Sequence, residues 1–170
     1  NFPVQLTMGP LTGAFAAGNR VMVKSSEYTP TVAELFETVG PQYFSEEEAA
    51  FFSGGPEVGQ AFAGLPFDHI LFTGATGVGK HILHAAADNL TPVTLELGGK
   101  SPVVVFDSAD IDSVVEGVVN AIWFNQGQVC CAGSRLLLQE SIAEKVIEKL
   151  QLQTTSTSPD DGGQRNDINF

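Results

Sequence analysis

The sequence predicts an α/β fold, an open parallel sheet with helices on both faces. Three observations carry this reading. Short runs of Val, Ile, Leu and Phe alternate along the chain with segments of helical period. The strand candidates are apolar almost throughout, as strands buried on both faces of a parallel sheet are. The 170 residues, 43% hydrophobic and 16% charged, suffice for one domain with a proper apolar core.

The elements follow in order. Arg20–Lys24 (RVMVK) is the first expected strand. Thr31–Val39 follows as a helix, because Pro30 has the fixed φ and missing N–H that suit a first helical turn. Ala49–Ser53 is a second strand, Val58–Ala63 a short helix and His69–Phe72 a third strand. Val78–Asn89 reads as a longer helix, with strands at Val93–Leu97 and Val103–Phe106 after it. Ile111–Trp123 is the clearest helix: Ile111, Val114, Val115, Val118, Val119, Ile122 and Trp123 share one face, and Ser108 or Asp110 serves as N-cap. Arg135–Gln139 is the last strand and Ile142–Leu150 the last helix. Residues 151–170 are polar, turn-rich and aperiodic, and read as a disordered tail.

A formal net charge of −12 repels phosphate backbones, so nucleic acid is not an expected partner. No apolar run approaches the roughly 18 residues that span a bilayer, so no membrane is expected either. The opening NFPVQL has neither an initiator Met nor a targeting segment and reads as the interior of a longer chain. The only cysteines, Cys130 and Cys131, are adjacent, which argues against a disulfide framework and for a reducing, cytoplasmic location. His69, His81 and His84 show no ligand spacing with Cys or carboxylates, and no metal is assigned.

Phe72–Lys80 reads FTGATGVGK, a glycine-rich turn between a strand and a helix. The spacing G-x-x-x-x-G-K is that of a phosphate-gripping P-loop, which needs Ser or Thr after the Lys to hold Mg²⁺. His81 stands there instead, and imidazole is a poor magnesium ligand beside phosphate. A dinucleotide pyrophosphate is a second reading, although Gly74, Gly77 and Gly79 do not spell G-x-G-x-x-G. A third is that the glycines only let a helix pack closely on its strand. The turn by itself leaves all three open.

Five segments in register resemble the aldehyde dehydrogenase superfamily across residues 1–150. NQGQVCCAGSR (Asn125–Arg135) is similar to the family's nucleophile segment, LELGGKSP (Leu95–Pro102) to its general-base segment, and NFP (Asn1–Pro3) to its oxyanion-asparagine segment. FTGATGVG falls where the family binds the cofactor pyrophosphate, and VMVKSSEYTP (Val21–Pro30) where it binds the adenosine ribose. On this resemblance the P-loop spelling is a coincidence. LPFDHILFTG and NLTPVTLELGGKSP look most like the branch acting on coniferyl and related hydrophobic aldehydes, whereas NQGQVCCAGSR is nearer the commoner family pattern.

The resemblance implies a Rossmann-like sheet and oxidation of an aldehyde to a carboxylic acid through a cysteine adduct. It makes Cys130 the nucleophile, Glu96 the base for deacylation, and the Cys130 N–H with the Asn1 amide the oxyanion donors. Cys131 is expected to be a small buried hydrophobe. Lys24 and Glu27 would contact the ribose hydroxyls, and Gly74, Ala75, Gly79 and Leu97 the rest of the cofactor. Ala75 stands where the family commonly has Ser, removing one hydroxyl donor. A carboxylate at Glu27 favours NAD over NADP, with NADP still possible. Residues 1–128 would be a partial NAD-binding domain and 129–150 the start of the catalytic domain. Family members are around three times this length, so the 170 residues read as a truncated piece, inactive alone, of an enzyme that forms homo-oligomers. The competing reading is a catalytically inactive dinucleotide-binding or interaction module.

Overall fold

The computed structural model describes residues 1–156. The chain divides into two compact units, Asn1–Gly98 and a second beginning at Gly99. This packing boundary falls at a different place from the boundary at residue 128 expected from the motifs.

The first unit runs α1 (Gln5–Ala16), β1 (Val21–Lys24), α2 (Pro30–Val39), a 3-10 turn (Gly40–Gln42), β2 (Ala49–Phe52), α3 (Pro56–Ala63), β3 (Ile70–Gly74), α4 (Thr76–Ala87) and β4 (Val93–Leu97). The second runs β5 (Pro102–Val105), α5 (Ile111–Trp123), a 3-10 turn (Phe124–Gly127), β6 (Arg135–Leu138) and α6 (Glu140–Ser156).

All strand pairing is parallel: β1 with β2, β3 with β4, β5 with β6. Parallel neighbours need a long crossover, and here each crossover carries one helix, α2, α4 or α5. The α/β class and the parallel direction agree with the sequence reading. The expected single open sheet is, among the described residues, three two-stranded pairs. Continuous burial of the strands does not hold either. β3, β4 and β6 alternate between shielded and exposed positions, and Leu71, Val104 and Leu137 are 46%, 55% and 46% exposed. A single crossover helix covers only one face of its pair.

The first unit is packed largely by phenylalanine. Phe15, Phe44, Phe51 and Phe36 form one ladder with ring centroids 5.2–6.5 Å apart. Phe52, Phe62 and Phe67 form a second at 5.0–6.2 Å, both within the range of favourable tilted and stacked pairs. Leu11 and the small residues Ala33, Ala49, Ala63 and Ala86 fill the deepest positions. The second unit has an aliphatic core of Val105, Val115, Val118, Ile142, Val146 and Leu150, each buried side chain worth about 1.5–3 kcal/mol. The choice between Ser108 and Asp110 falls to Asp110, whose carboxylate accepts from Ser113 N–H at 2.9 Å. That bond holds the Asp110 carboxyl below its ordinary pKa.

Two expectations are corrected. α1 was not anticipated: QLTMGPLTGAFA holds two glycines and Pro10, and its apolar residues are spread around the helix, with only Leu11 buried. α6 continues through Ser156, six residues into the expected tail, since neither Gly nor Pro interrupts residues 151–156. The rest of that tail lies outside the described residues. Among the described residues no helix is long and apolar enough to cross a membrane.

Candidate functional site

The carboxyl ends of parallel strands are where open α/β sheets bind ligands, and the first unit gathers most of the expected cofactor contacts there. Lys24 ends β1, and its ammonium lies 3.1 Å from Glu27 Oε2. Ser25 N–H donates to Phe52 O at 2.9 Å, carrying the β1–β2 ladder one bond further and fixing the backbone at Lys24. The Lys24 ammonium lies over Gly59 of α3, where a Cβ would stand at an ordinary contact distance of 3.9 Å. The Glu27 carboxyl is held below its usual range first by its own backbone N–H and then by Lys24. Exposed ion pairs contribute about 0–1 kcal/mol to stability, so the pair matters mainly as a positioned donor and acceptor.

The β3–α4 turn shows what its glycines do. Gly74 closes β3, where a Cβ would sit 2.5 Å from the Phe72 ring. Ala75 adopts an extended conformation (φ −73°, ψ 144°) and no side chain caps α4. The first helical bond runs from Gly79 N–H to Ala75 O at 2.9 Å. The amides of residues 76–78 precede it, and with the helix dipole they form an anion-binding corner. A Cβ at Gly79 would come within 3.2 Å of Leu97 Cδ2 and 3.5 Å of Leu95, whereas Gly77 meets nothing within 4 Å. Close packing therefore explains Gly79, whereas Gly77 faces open space.

Glu96 and Leu97 lie side by side on β4 and face opposite ways. Leu97 pairs in register with Gly74 and turns toward α4; Glu96 pairs with Thr73, and both are exposed on the other face. Thr73 drew no attention in the sequence, since only strand register reveals it as a neighbour of Glu96. Asn1 is exposed, followed by Phe2 at φ 43°. Asn1 and Glu96 belong to the first unit and Cys130 to the second.

The second unit presents Cys130 on an irregular loop. Asn125, Gln126 and Gly127 all have positive φ (50°, 56° and 74°), and Asn125 Nδ2 donates to Gln128 O at 3.1 Å. Downstream, Gly133 N–H donates to Ala121 O at 3.1 Å. A Cβ on Gly133 would lie 2.6 Å from Val103 and 3.0 Å from Ala121, so only glycine lets the loop come this close to β5 and α5. Ala132 is buried beside it. Cys130 is exposed, but Cys131, expected to be buried, is exposed as well. The inward position after the tight turn falls to Ala132, one residue later than the sequence suggested.

The aldehyde dehydrogenase family model matches residues 1–169, beyond the limit of 150 seen in the motifs. The chain is 50% identical over 159 residues to a probable coniferyl aldehyde dehydrogenase of Caulobacter vibrioides, covering 94% of this chain and 33% of that protein. It is 40% identical over 167 residues to a dimeric NADP-preferring aldehyde dehydrogenase of Mus musculus, covering 98% of this chain and 37% of that one. It also superimposes on a betaine aldehyde dehydrogenase of Staphylococcus aureus solved with NAD+, with TM-score 0.83 and 37% identity, covering 91% of this chain and 31% of that one. The chain spans about a third of the length of the curated relatives it matches. With sequence and fold agreeing over nearly every residue, this chain belongs to the aldehyde dehydrogenase family.

Proposed function

We propose that the enzyme carrying this chain oxidises an aldehyde to a carboxylic acid, with Cys130 as nucleophile and NAD as the favoured cofactor. The observation that carries the reading is the exposed Cys130 thiol, held out on a loop of left-handed residues and anchored by Gly133.

The residues fit a dinucleotide. The uncapped N-terminus of α4 above Gly77 suits the pyrophosphate. The Lys24–Glu27 pair supplies a donor and an acceptor for ribose hydroxyls; Gly74 and Ala75 form the turn beside the α4 N-terminus, and Gly79, packed on Leu97, holds α4 close to β4 beneath it. A 2′-phosphate would meet the Glu27 carboxylate, which disfavours NADP without excluding it. When bound, the nicotinamide supplies the acceptor for a hydride.

The Cys130 thiolate adds to the carbonyl carbon, and the carbonyl electron pair moves to oxygen. The Cys130 N–H and the Asn1 amide donate to that oxyanion. When the oxyanion collapses, the aldehyde C–H bond breaks with its electron pair and a thioester remains on Cys130. Glu96 takes a proton from water, which attacks the thioester and expels the thiolate. Residues 1–128 serve as the cofactor-binding part and 129–150 open the catalytic part. The likeness to coniferyl aldehyde dehydrogenases supports a hydrophobic aryl aldehyde as substrate, and the dimeric relative supports a homo-oligomer. Two free thiols suit the cytoplasm.

Aldehyde-dependent NADH formation in the complete enzyme, lost in Cys130→Ala, supports this reading; NAD binding with no turnover in the parent overturns it.

A further inference from the structure

We propose that Asn125 is a positioning residue for the reaction: it fixes the backbone ahead of Cys130 so that the Cys130 N–H is aimed at the developing oxyanion. The proposal rests on the reading of Cys130 as nucleophile. Asn125 holds one residue, Gln128, at both ends of its backbone. The Asn125 carbonyl accepts from Gln128 N–H at 2.9 Å, and its side-chain Nδ2 donates to Gln128 O at 3.1 Å. Between them the chain is left-handed, with φ at 50°, 56° and 74° for Asn125, Gln126 and Gly127. Asn enters that region more readily than most residues, because its short side chain bonds locally. Gln126 has no such advantage and is exposed, so burial does not hold it there. The Asn125 bonds close the arch across it. A Cβ on Gly127 would lie 3.1 Å from Ile122 O, so the arch stands close against the end of α5.

Peptide geometry carries this restraint to Cys130. A trans peptide is planar, and its C=O and N–H point in opposite directions. The Gln128 carbonyl shares one plane with the Val129 N–H, and the Val129 carbonyl shares the next with the Cys130 N–H. Asn125 Nδ2 sets the first plane. Ala132 N–H, donating to Val129 O at 3.0 Å, sets the second. The Cys130 N–H therefore points opposite to the bond that closes the turn, where it can donate to an oxygen outside it. The Ala132 bond belongs to any turn of this kind; the Asn125 side chain is the added restraint, and without it the first plane can swing. A donor stabilises an oxyanion only while aimed at the place where charge develops, so a swung plane costs the transition state more than the bound ground state. The thiol turns about its own Cα–Cβ bond and does not share that dependence.

The test uses two variants of the complete enzyme. Asn125→Asp keeps the shape but sets a carboxylate, which has no donor, against Gln128 O. Asn125→Gly loses the side chain and keeps the left-handed freedom of the backbone, so it preserves the fold. Both should lower the single-turnover rate of NADH formation by about 10–10²-fold while KM for NAD stays within about twofold of the parent. Alkylation of Cys130 by iodoacetamide reads the thiolate and forms no oxyanion, so it should stay within about threefold. A parental single-turnover rate in either variant overturns the proposal. So does alkylation that falls in step with NADH formation, or a lowered melting temperature in Asn125→Gly, since the loop would then be lost rather than misdirected. A wrong nucleophile shows separately, as aldehyde oxidation surviving in Cys130→Ala.

Discussion

The two units solve opposite problems. The first sets the groups proposed to face ligand on regular structure: Lys24 at the end of β1, the N-terminus of α4, and Glu96 in register with Thr73. Its precision comes from an absent side chain, since Gly79 lets α4 lie against Leu95 and Leu97. The second builds a branched aliphatic core and then leaves regular structure altogether, showing its thiols on a loop with three positive φ values. A long, flat cofactor needs a broad and rigid cradle. A nucleophile needs one exposed atom that can approach a carbon and withdraw from it. The predictions test this division of labour.

The largest effect should come from the loop. Cys130→Ala in the complete enzyme should lower aldehyde oxidation by roughly 10⁴-fold or more while NAD binding persists. Glu96→Gln should keep a burst of NADH and slow the steady state by roughly 10²–10⁴-fold, because acylation needs no base for water. Stopped-flow absorbance separates them: a preserved burst in Cys130→Ala, or none in Glu96→Gln, breaks the assignment of roles.

Next comes the cradle. Gly79→Val puts branched atoms where a Cβ already stands 3.2 Å from Leu97, and should cost about 1–3 kcal/mol of stability. Gly77→Ala enters open space, so thermal unfolding should hold steady while dinucleotide affinity falls. If both substitutions lowered the melting temperature alike, the distinction between a packing glycine and a site glycine would be lost.

A smaller effect is expected at the ribose corner. Removing the Glu27 carboxylate with Glu27→Ser should erase a roughly tenfold preference for NAD over NADP. Calorimetric titration with both dinucleotides reads this directly, and a parent that binds them equally refutes the role of Glu27.

The smallest expected effect lies at the α5 cap. Asp110 has a folded pKa below its unfolded one, because the carboxylate accepts from Ser113 N–H. The cap's contribution is therefore fully present above the unfolded value of about 3.9 and lost as pH falls through the lower folded value. Asp110→Asn, which keeps an acceptor, should flatten that acid dependence of the melting temperature while leaving the neutral-pH value nearly unchanged. A curve that keeps the parent's slope below pH 4 would remove Asp110 from the account.

Much of the architecture was legible in the sequence, for reasons visible in single elements. Ile111–Trp123 and Val93–Leu97 were bounded to the residue, since one has an apolar stripe at helical spacing and the other an apolar–polar alternation closed by two glycines. Pro30 starts α2 as its geometry requires. α1 was missed because its stability comes from neighbours rather than from pattern: two glycines and a proline weaken the local signal.

What the sequence determined alone was whatever is encoded over a few adjacent residues: strand and helix order, the capping choice narrowed to two residues, and motifs marking the chemistry. Only the tertiary structure decided which glycines pack and which stay open, that Cys131 faces outward while Ala132 turns in, and that Leu71, Val104 and Leu137 line exposed faces. The reason is range. A hydrogen-bonded turn or a helical stripe is settled between near neighbours in the chain. Burial is settled by residues far apart in sequence: Leu97 closes over Gly79, and Val103 closes over Gly133. No local pattern carries that information.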